Sequence, residues 1–184
     1  QEKVVQRIDL VDKLSPNSMD VEGNLIYLSG YPNSQIYKYD IKSPMGFEKQ
    51  PPNPREVAQL ADYSKTHTPL GTEIGADGYV YNAGTALGRK RTGGGFGWYD
   101  PESGEQGGLW KPFSGYRVFW TATAEKGRYI FLSTKPTNDE LNNDVVPEVG
   151  RLFCWDTRKK EFIYQVEPPG EFVPGPIVEA LPGL

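Results

Sequence analysis

One phrase occurs three times in this chain. A run rich in β-branched and aromatic residues ends in small ones, a loop follows, and a second aromatic run closes on an aromatic-Asp pair before a polar turn. The copies are Leu25-Ile-Tyr-Leu-Ser-Gly30 with Gln35-Ile-Tyr-Lys-Tyr-Asp40, Tyr79-Val-Tyr-Asn-Ala-Gly84 with Gly95-Phe-Gly-Trp-Tyr-Asp100, and Tyr129-Ile-Phe-Leu-Ser-Thr134 with Arg151-Leu-Phe-Cys-Trp-Asp156. Strand-forming residues bounded by turn residues read as a repeated β-hairpin. Asp40, Asp100 and Asp156 stand 60 and 56 residues apart, room for one four-stranded sheet per copy.

A sheet of that size cannot bury both faces alone, so such units stand against one another as an array. The expected fold is all-β: a β-propeller segment of about three four-stranded antiparallel blades with flanking strands and one short inserted helix. Residues 1–184 then form a single partial propeller. Residues 1–12 give the outer strand of a preceding blade, 15–52 a blade, 53–66 a helical insertion, 67–113 and 114–172 two further blades, and 173–184 the first strand of a next one. The first blade takes its fourth strand from residues 46–50. The helix is placed over 54–63, where Asn53 is a capping residue, Pro54 suits the first helical position, and Val57, Leu60 and Ala61 share a face.

The composition fits short strands and many turns. Hydrophobic content is 37%, yet 12% of residues are aromatic, and 21 glycines and 16 prolines account for the low mean hydropathy without disorder. The net charge of −4, with no basic run longer than Arg89-Lys90-Arg91, argues against a nucleic-acid partner. No stretch approaches the roughly 20 apolar residues of a membrane helix, so no membrane partner is expected. Cys154, the single cysteine, excludes an internal disulfide, and between Phe153 and Trp155 it reads as a buried hydrophobe. The start at Gln1, without a leader, fits a processed secreted or periplasmic protein or a fragment.

The phrases Gly75-Ala-Asp-Gly-Tyr-Val-Tyr81, Trp98-Tyr-Asp-Pro-Glu-Ser-Gly-Glu105 and Leu152-Phe-Cys-Trp-Asp156-Thr resemble blades of the quinoprotein-like and gluconolactonase-like propeller group. They lack the Gly-His of WD40 blades and the paired glycines of kelch blades. The resemblance implies a ring of six to eight blades, of which about three are here. The remaining blades, or a second copy of the chain, would complete it. Gluconolactonase-like propellers hold a divalent metal through Glu, Asn and Asp. This chain offers Glu73, Asp20, Glu22 and Glu179 on inner strands but Thr121 and Thr123 in the third unit, so that metal set is not reproduced and no cofactor is expected.

The loops between second and third strands, and the crossovers between blades, open on one propeller face. That face receives Tyr31, His67, Tyr116, Arg117 and the long loops 86–94 and 135–149. Arg89 and Arg91, before a glycine run, present cations to an anion such as a uronate or phosphate. Tyr31 and Tyr116 offer rings for sugar stacking. His67, the sole histidine, is the one catalytic candidate, and it lacks a partner carboxylate in the sequence. Asp139 and Asp144 sit in an oxygen-rich run with calcium-ligand chemistry but no EF-hand spacing. Asp40, Asp100 and Asp156 recur, as structural residues do, and are assigned to turns. The tryptophans and most tyrosines are assigned to packing between sheets. The expected function is a scaffold binding a carbohydrate or a protein partner through this face. The alternative is part of a carbohydrate-active propeller enzyme, a lyase or lactonase, with further site residues outside the chain.

Overall fold

The computed structural model describes residues 15–86, 93–113, 115–136 and 148–168. Within these residues, twelve strands and one helical turn form three antiparallel meanders. The first sheet comprises β1 (Ser15–Glu22), β2 (Leu25–Tyr31), β3 (Gln35–Asp40) and β4 (Arg55–Gln59), and α1 (Ala61–Ser64) follows it. The second comprises β5 (Thr66–Ile74), β6 (Val80–Ala86), β7 (Gly94–Tyr99) and β8 (Gln106–Phe113). The third comprises β9 (Tyr116–Ala124), β10 (Tyr129–Pro136), β11 (Leu152–Asp156) and β12 (Glu161–Val166). Each sheet runs in chain order from its first strand to its fourth. The first strands β1, β5 and β9 touch in succession, so the sheets stand face to face about their inner edges as propeller blades do.

Alternation decides which residues enter which interface. Tyr27 and Ile36 of the first sheet meet Val80 and Tyr99 of the second, with Leu60 from the crossover. Tyr81 and Phe96 of the second sheet meet Phe153, Trp155 and Phe162 of the third, with Phe96 and Trp155 rings 4.9 Å apart. Full burial of each large side chain contributes roughly 1.5–3 kcal/mol, and each ring pair about 0.5–1.5 kcal/mol more. Tyr39, Tyr99 and Trp155, which precede the three recurring aspartates, are all buried. Cys154 is buried as well, and burial pushes its thiol up to about 11, which leaves it protonated and inert.

The recurring aspartates do what a turn residue does. Asp40 accepts the Lys42 N–H at 2.9 Å and the Ser43 hydroxyl, and Asp100 accepts the Glu102 N–H at 2.9 Å and the Ser103 hydroxyl. Asp156 accepts the N–H groups of Arg158 and Lys159. The serine and backbone donors hold the Asp40 and Asp100 carboxyls below the usual carboxylate range.

Two expectations for the first sheet are corrected. Residues 46–50 are not its fourth strand; Gly46 makes only an isolated bridge to Asn53. Residues 55–59, expected as helix, form β4 instead, pairing Ala58 with Ile36 and Arg55 with Lys38. The reason is tertiary. The edge of β3 offers a free ladder, and a strand places Ala58 in the interface, so pairing overrides a weak helical preference. Asn53 does not cap a helix. Its side chain closes the end of β3, accepting the Asp40 N–H at 2.9 Å and donating to the carbonyls of Asp40 and Ser43. Among the described residues helix is confined to α1, which docks on β7 and β8; at Gly108 an added Cβ would lie 2.8 Å from the Ser64 nitrogen.

Candidate functional site

Two regions gather polar side chains between the sheets: the loop face at one end of the inner strands, and a ladder of contacts along the strands themselves.

On the loop face, β2 ends at Tyr31 and turns through Pro32, Asn33 and Ser34 into β3. Asn33 and Ser34 both have positive φ, which their short polar side chains tolerate. The turn is tied to the crossover on both sides. The Asn33 N–H donates to the His67 carbonyl at 3.0 Å, and the buried Ser34 hydroxyl donates to the Thr66 carbonyl at 3.1 Å. The N–H groups of Leu60 and Ala61 reach back to the carbonyls of Ser34 and Asn33. These bonds fix the Tyr31 ring edge-on to the His67 imidazole, centroids 4.6 Å apart and planes at 84°. Tyr31 remains 46% exposed, so a preset aromatic corner faces solvent.

The other sequence candidates fare differently. Tyr116 is only 3% exposed: its ring packs against Phe153 beneath the Arg151 guanidinium, so it has no free face for a sugar. A position at the start of β9 suggested a loop, but the β9–β10 pairing extends to Tyr116 and draws it into the core. Arg117, its neighbour, is exposed, with its guanidinium 6.0 Å from the Phe119 ring. Arg89, Arg91, Asp139 and Asp144 lie outside the described residues. Sequence reading missed Arg151, which pairs with Glu167 through an Nε–Oε1 bond of 2.9 Å beside Tyr116. No carboxylate bonds the His67 imidazole among the described residues, so it is not set up as an activated base. Nor do three His, Cys, Asp or Glu side chains gather as a metal centre among them.

Along the inner strands, the carboxylates singled out as possible channel ligands are used between blades. Asp20 Oδ2 accepts the Ile74 N–H of the second sheet at 2.7 Å. Glu73 accepts the Thr121 hydroxyl at 2.6 Å and the Thr123 N–H of the third sheet. Asp20 lies opposite Tyr27 and Glu73 opposite Tyr81, so the two hold the same rung of successive blades. Burial, reinforced by the Asp20 charge, pushes the Glu73 carboxyl up to about 7 against the pull of its two donors. Two rungs away, Gly71 permits this closeness, since a Cβ there would fall 1.9 Å from Thr121 Oγ1. A hydroxyl and amide cluster joins the first two blades, with Ser18 bonded to Thr72 at 2.6 Å and Asn82 donating to Ser29 at 3.0 Å.

The ends of the stack lack these devices. The rung of Asp20 and Glu73 is Ala122 in the third blade, and that of Ser18 and Gly71 is Trp120. Trp120 and Trp110 are exposed rather than packed, a departure from the expectation that tryptophans pack between sheets. On the open side of β1, Met19 and Val21 are 64% and 54% exposed.

No protein-family model matches the sequence, and no curated protein matches it. Among solved structures the fold is similar to that of U3-55K, a WD40 propeller protein, with a TM-score of 0.52 and 12% identity. The match covers 88% of this chain but 42% of that one, so the chain spans less than half of the propeller protein it matches. Likeness at this identity concerns the fold and does not select among propeller groups.

Proposed function

We propose that this chain is part of a propeller scaffold that binds a carbohydrate through the loop face. The observation that carries this reading is the Tyr31–His67 corner. It is exposed and aromatic, and backbone bonds on both sides of the turn hold it still. A rigid ring with a free face loses little entropy when a sugar ring stacks on it, and imidazole and hydroxyl groups at its rim can bond the sugar hydroxyls. Titration of the isotope-labelled chain with neutral and uronic oligosaccharides is the test. Resonance shifts at Tyr31 and His67, abolished in Tyr31→Ala, support it; an unresponsive face across both ligand sets refutes it.

A specific observation also supports a protein partner, either the remaining blades or a second copy of the chain. Met19 and Val21 lie open on the first sheet, at the rungs where the later blades carry Thr72 and Ile74, then Thr121 and Thr123, against a neighbour. On the third sheet the Ser133 hydroxyl, at the rung where Ser29 bonds the next blade, is buried without a partner among the described residues. An unpaired buried hydroxyl costs roughly 1–3 kcal/mol, and a neighbouring blade would supply the missing bond.

A further inference from the structure

The end of the first sheet opposite Tyr31 holds a cavity of about 380 Å³. It lies under the β3–β4 loop. Its walls are Leu25 and the prolines Pro44, Pro51 and Pro52, and its charged lining is Lys38, Lys49, Arg55 and Asp40. None of the three cations forms an ion pair with a carboxylate among the described residues, in a chain whose net charge is −4. The Asp40 carboxylate, already held by the Lys42 N–H and the Ser43 hydroxyl, stays in its turn and turns no free oxygen pair to a ligand cation. Three cations and one carboxylate leave a local charge of +2.

The site is also built rather than incidental. Lys38 and Arg55 are cross-strand partners on β3 and β4, so the ladder sets their spacing. The Lys49 stem lies close over Gly46, its Cγ 3.1 Å from where a Cβ would stand, tighter than an ordinary contact, so the missing side chain gives the third cation a seat. The buried Asn53 amide spends its Nδ2 donors on the carbonyls of Asp40 and Ser43 and its oxygen on the Asp40 N–H, so the loop carrying these groups is bonded to the sheet.

We infer that this pocket binds a phosphate monoester, whose two negative charges at neutral pH match the local +2. The fork of Arg55 takes two phosphate oxygens, the lysines act as point charges on the third, and the proline and leucine walls accommodate the carbon portion. The same chemistry occurs on a phosphorylated side chain and on a sugar phosphate; the cavity volume admits either.

Calorimetry on the full chain at low and moderate salt tests this with three probes: inorganic phosphate, a phosphoserine peptide, and glucose 6-phosphate. Saturable binding of at least one ester that weakens with salt is expected, with a loss of about tenfold in each of Arg55→Gln and Lys49→Gln and none in Lys42→Gln, which lies outside the pocket. Lys49→Gln removes a surface charge from a loop and serves if Arg55→Gln perturbs β4. Preference for the peptide or for the sugar identifies the source of the ester. Absence of binding to all three probes, or binding that Lys49→Gln and Arg55→Gln leave unchanged, overturns the assignment.

Discussion

Asp20 and Glu73 occupy the same rung of neighbouring inner strands, and each carboxylate takes a backbone N–H from the strand that follows: Ile74 for Asp20, Thr123 for Glu73. A strand N–H on the inner edge of a blade has no ladder partner, so a carboxylate from the preceding blade satisfies it and pins the two sheets in one register. The first blade departs from the pattern on its open side: the Val21 N–H, at the rung of Ile74 and Thr123, is taken by Asp20 Oδ1 at 2.7 Å. Carboxylates along a propeller axis invite a catalytic or metal reading. Here their partners are backbone and threonine donors, and they act as staples.

Stability should therefore depend on pH in a defined direction. The Glu73 carboxyl is raised from an ordinary 4.5 to about 7, so the folded chain binds a proton more tightly than the unfolded one. Its contribution is fully present below about pH 4.5 and is lost as pH rises through 7. Glu73→Gln, which keeps an oxygen for Thr121 and Thr123, should flatten this segment of the profile. It should raise stability at pH 8 by about 2 kcal/mol, less than the full shift would convert to because the group is half-buried. Urea unfolding of both forms from pH 4 to 8 measures it. A parallel pair of profiles would show that Glu73 ionises normally.

The close approach of β5 to β9 makes Gly71 intolerant. Gly71→Ala would place a methyl 1.9 Å from Thr121 Oγ1 and 2.6 Å from its Cβ, so the second and third sheets must part. A loss of about 2 kcal/mol or more is expected in denaturant unfolding. Thr121→Ala in the same chain should not restore it, since the Thr121 Cβ remains. A Gly71→Ala chain within a few tenths of a kcal/mol of wild type would contradict the inter-blade spacing.

The three turn aspartates should rank by burial. Asp156 is buried and holds the N–H groups of Arg158 and Lys159, with Arg128 Nη2 3.8 Å away. Asp156→Ala leaves those donors unpaired and should cost about 1–3 kcal/mol, more than Asp40→Ala or Asp100→Ala at their wetter turns. Asp156→Asn, which can still accept, should cost less than Asp156→Ala by thermal unfolding. Equal losses would assign the role to the arginine pair instead of the turn.

The blade frame was legible because its signal is doubled: aromatic alternation marks each hairpin, and repetition marks the set. The segment 54–63 misled because Val57, Leu60 and Ala61 fall at helical spacing, while the feature that makes 55–59 a strand, the open edge of β3, is distant in sequence. Tyr116 misled for a similar reason, since its burial depends on Phe153 and Arg151, both more than thirty residues away. Tyr31 and His67 were both placed on the loop face by sequence, but their mutual contact follows from backbone bonds across the crossover that no residue pattern announces. The Asp20–Glu73 relation had a signal, each residue lying opposite the buried tyrosine of its hairpin, yet the longer connection from β6 to β7 changes the spacing to the turn aspartates and conceals it.

We propose that the outer faces of the first and third sheets meet another blade. Light scattering on the purified chain addresses it most directly. Open faces bearing Met19 and Val21 on one side and Trp120 and Tyr164 on the other should drive self-association, giving a mass at least twice 20.6 kDa that falls when Met19 and Val21 are both changed to Lys. A single monodisperse species of 20.6 kDa, unchanged in the lysine variant, would contradict it.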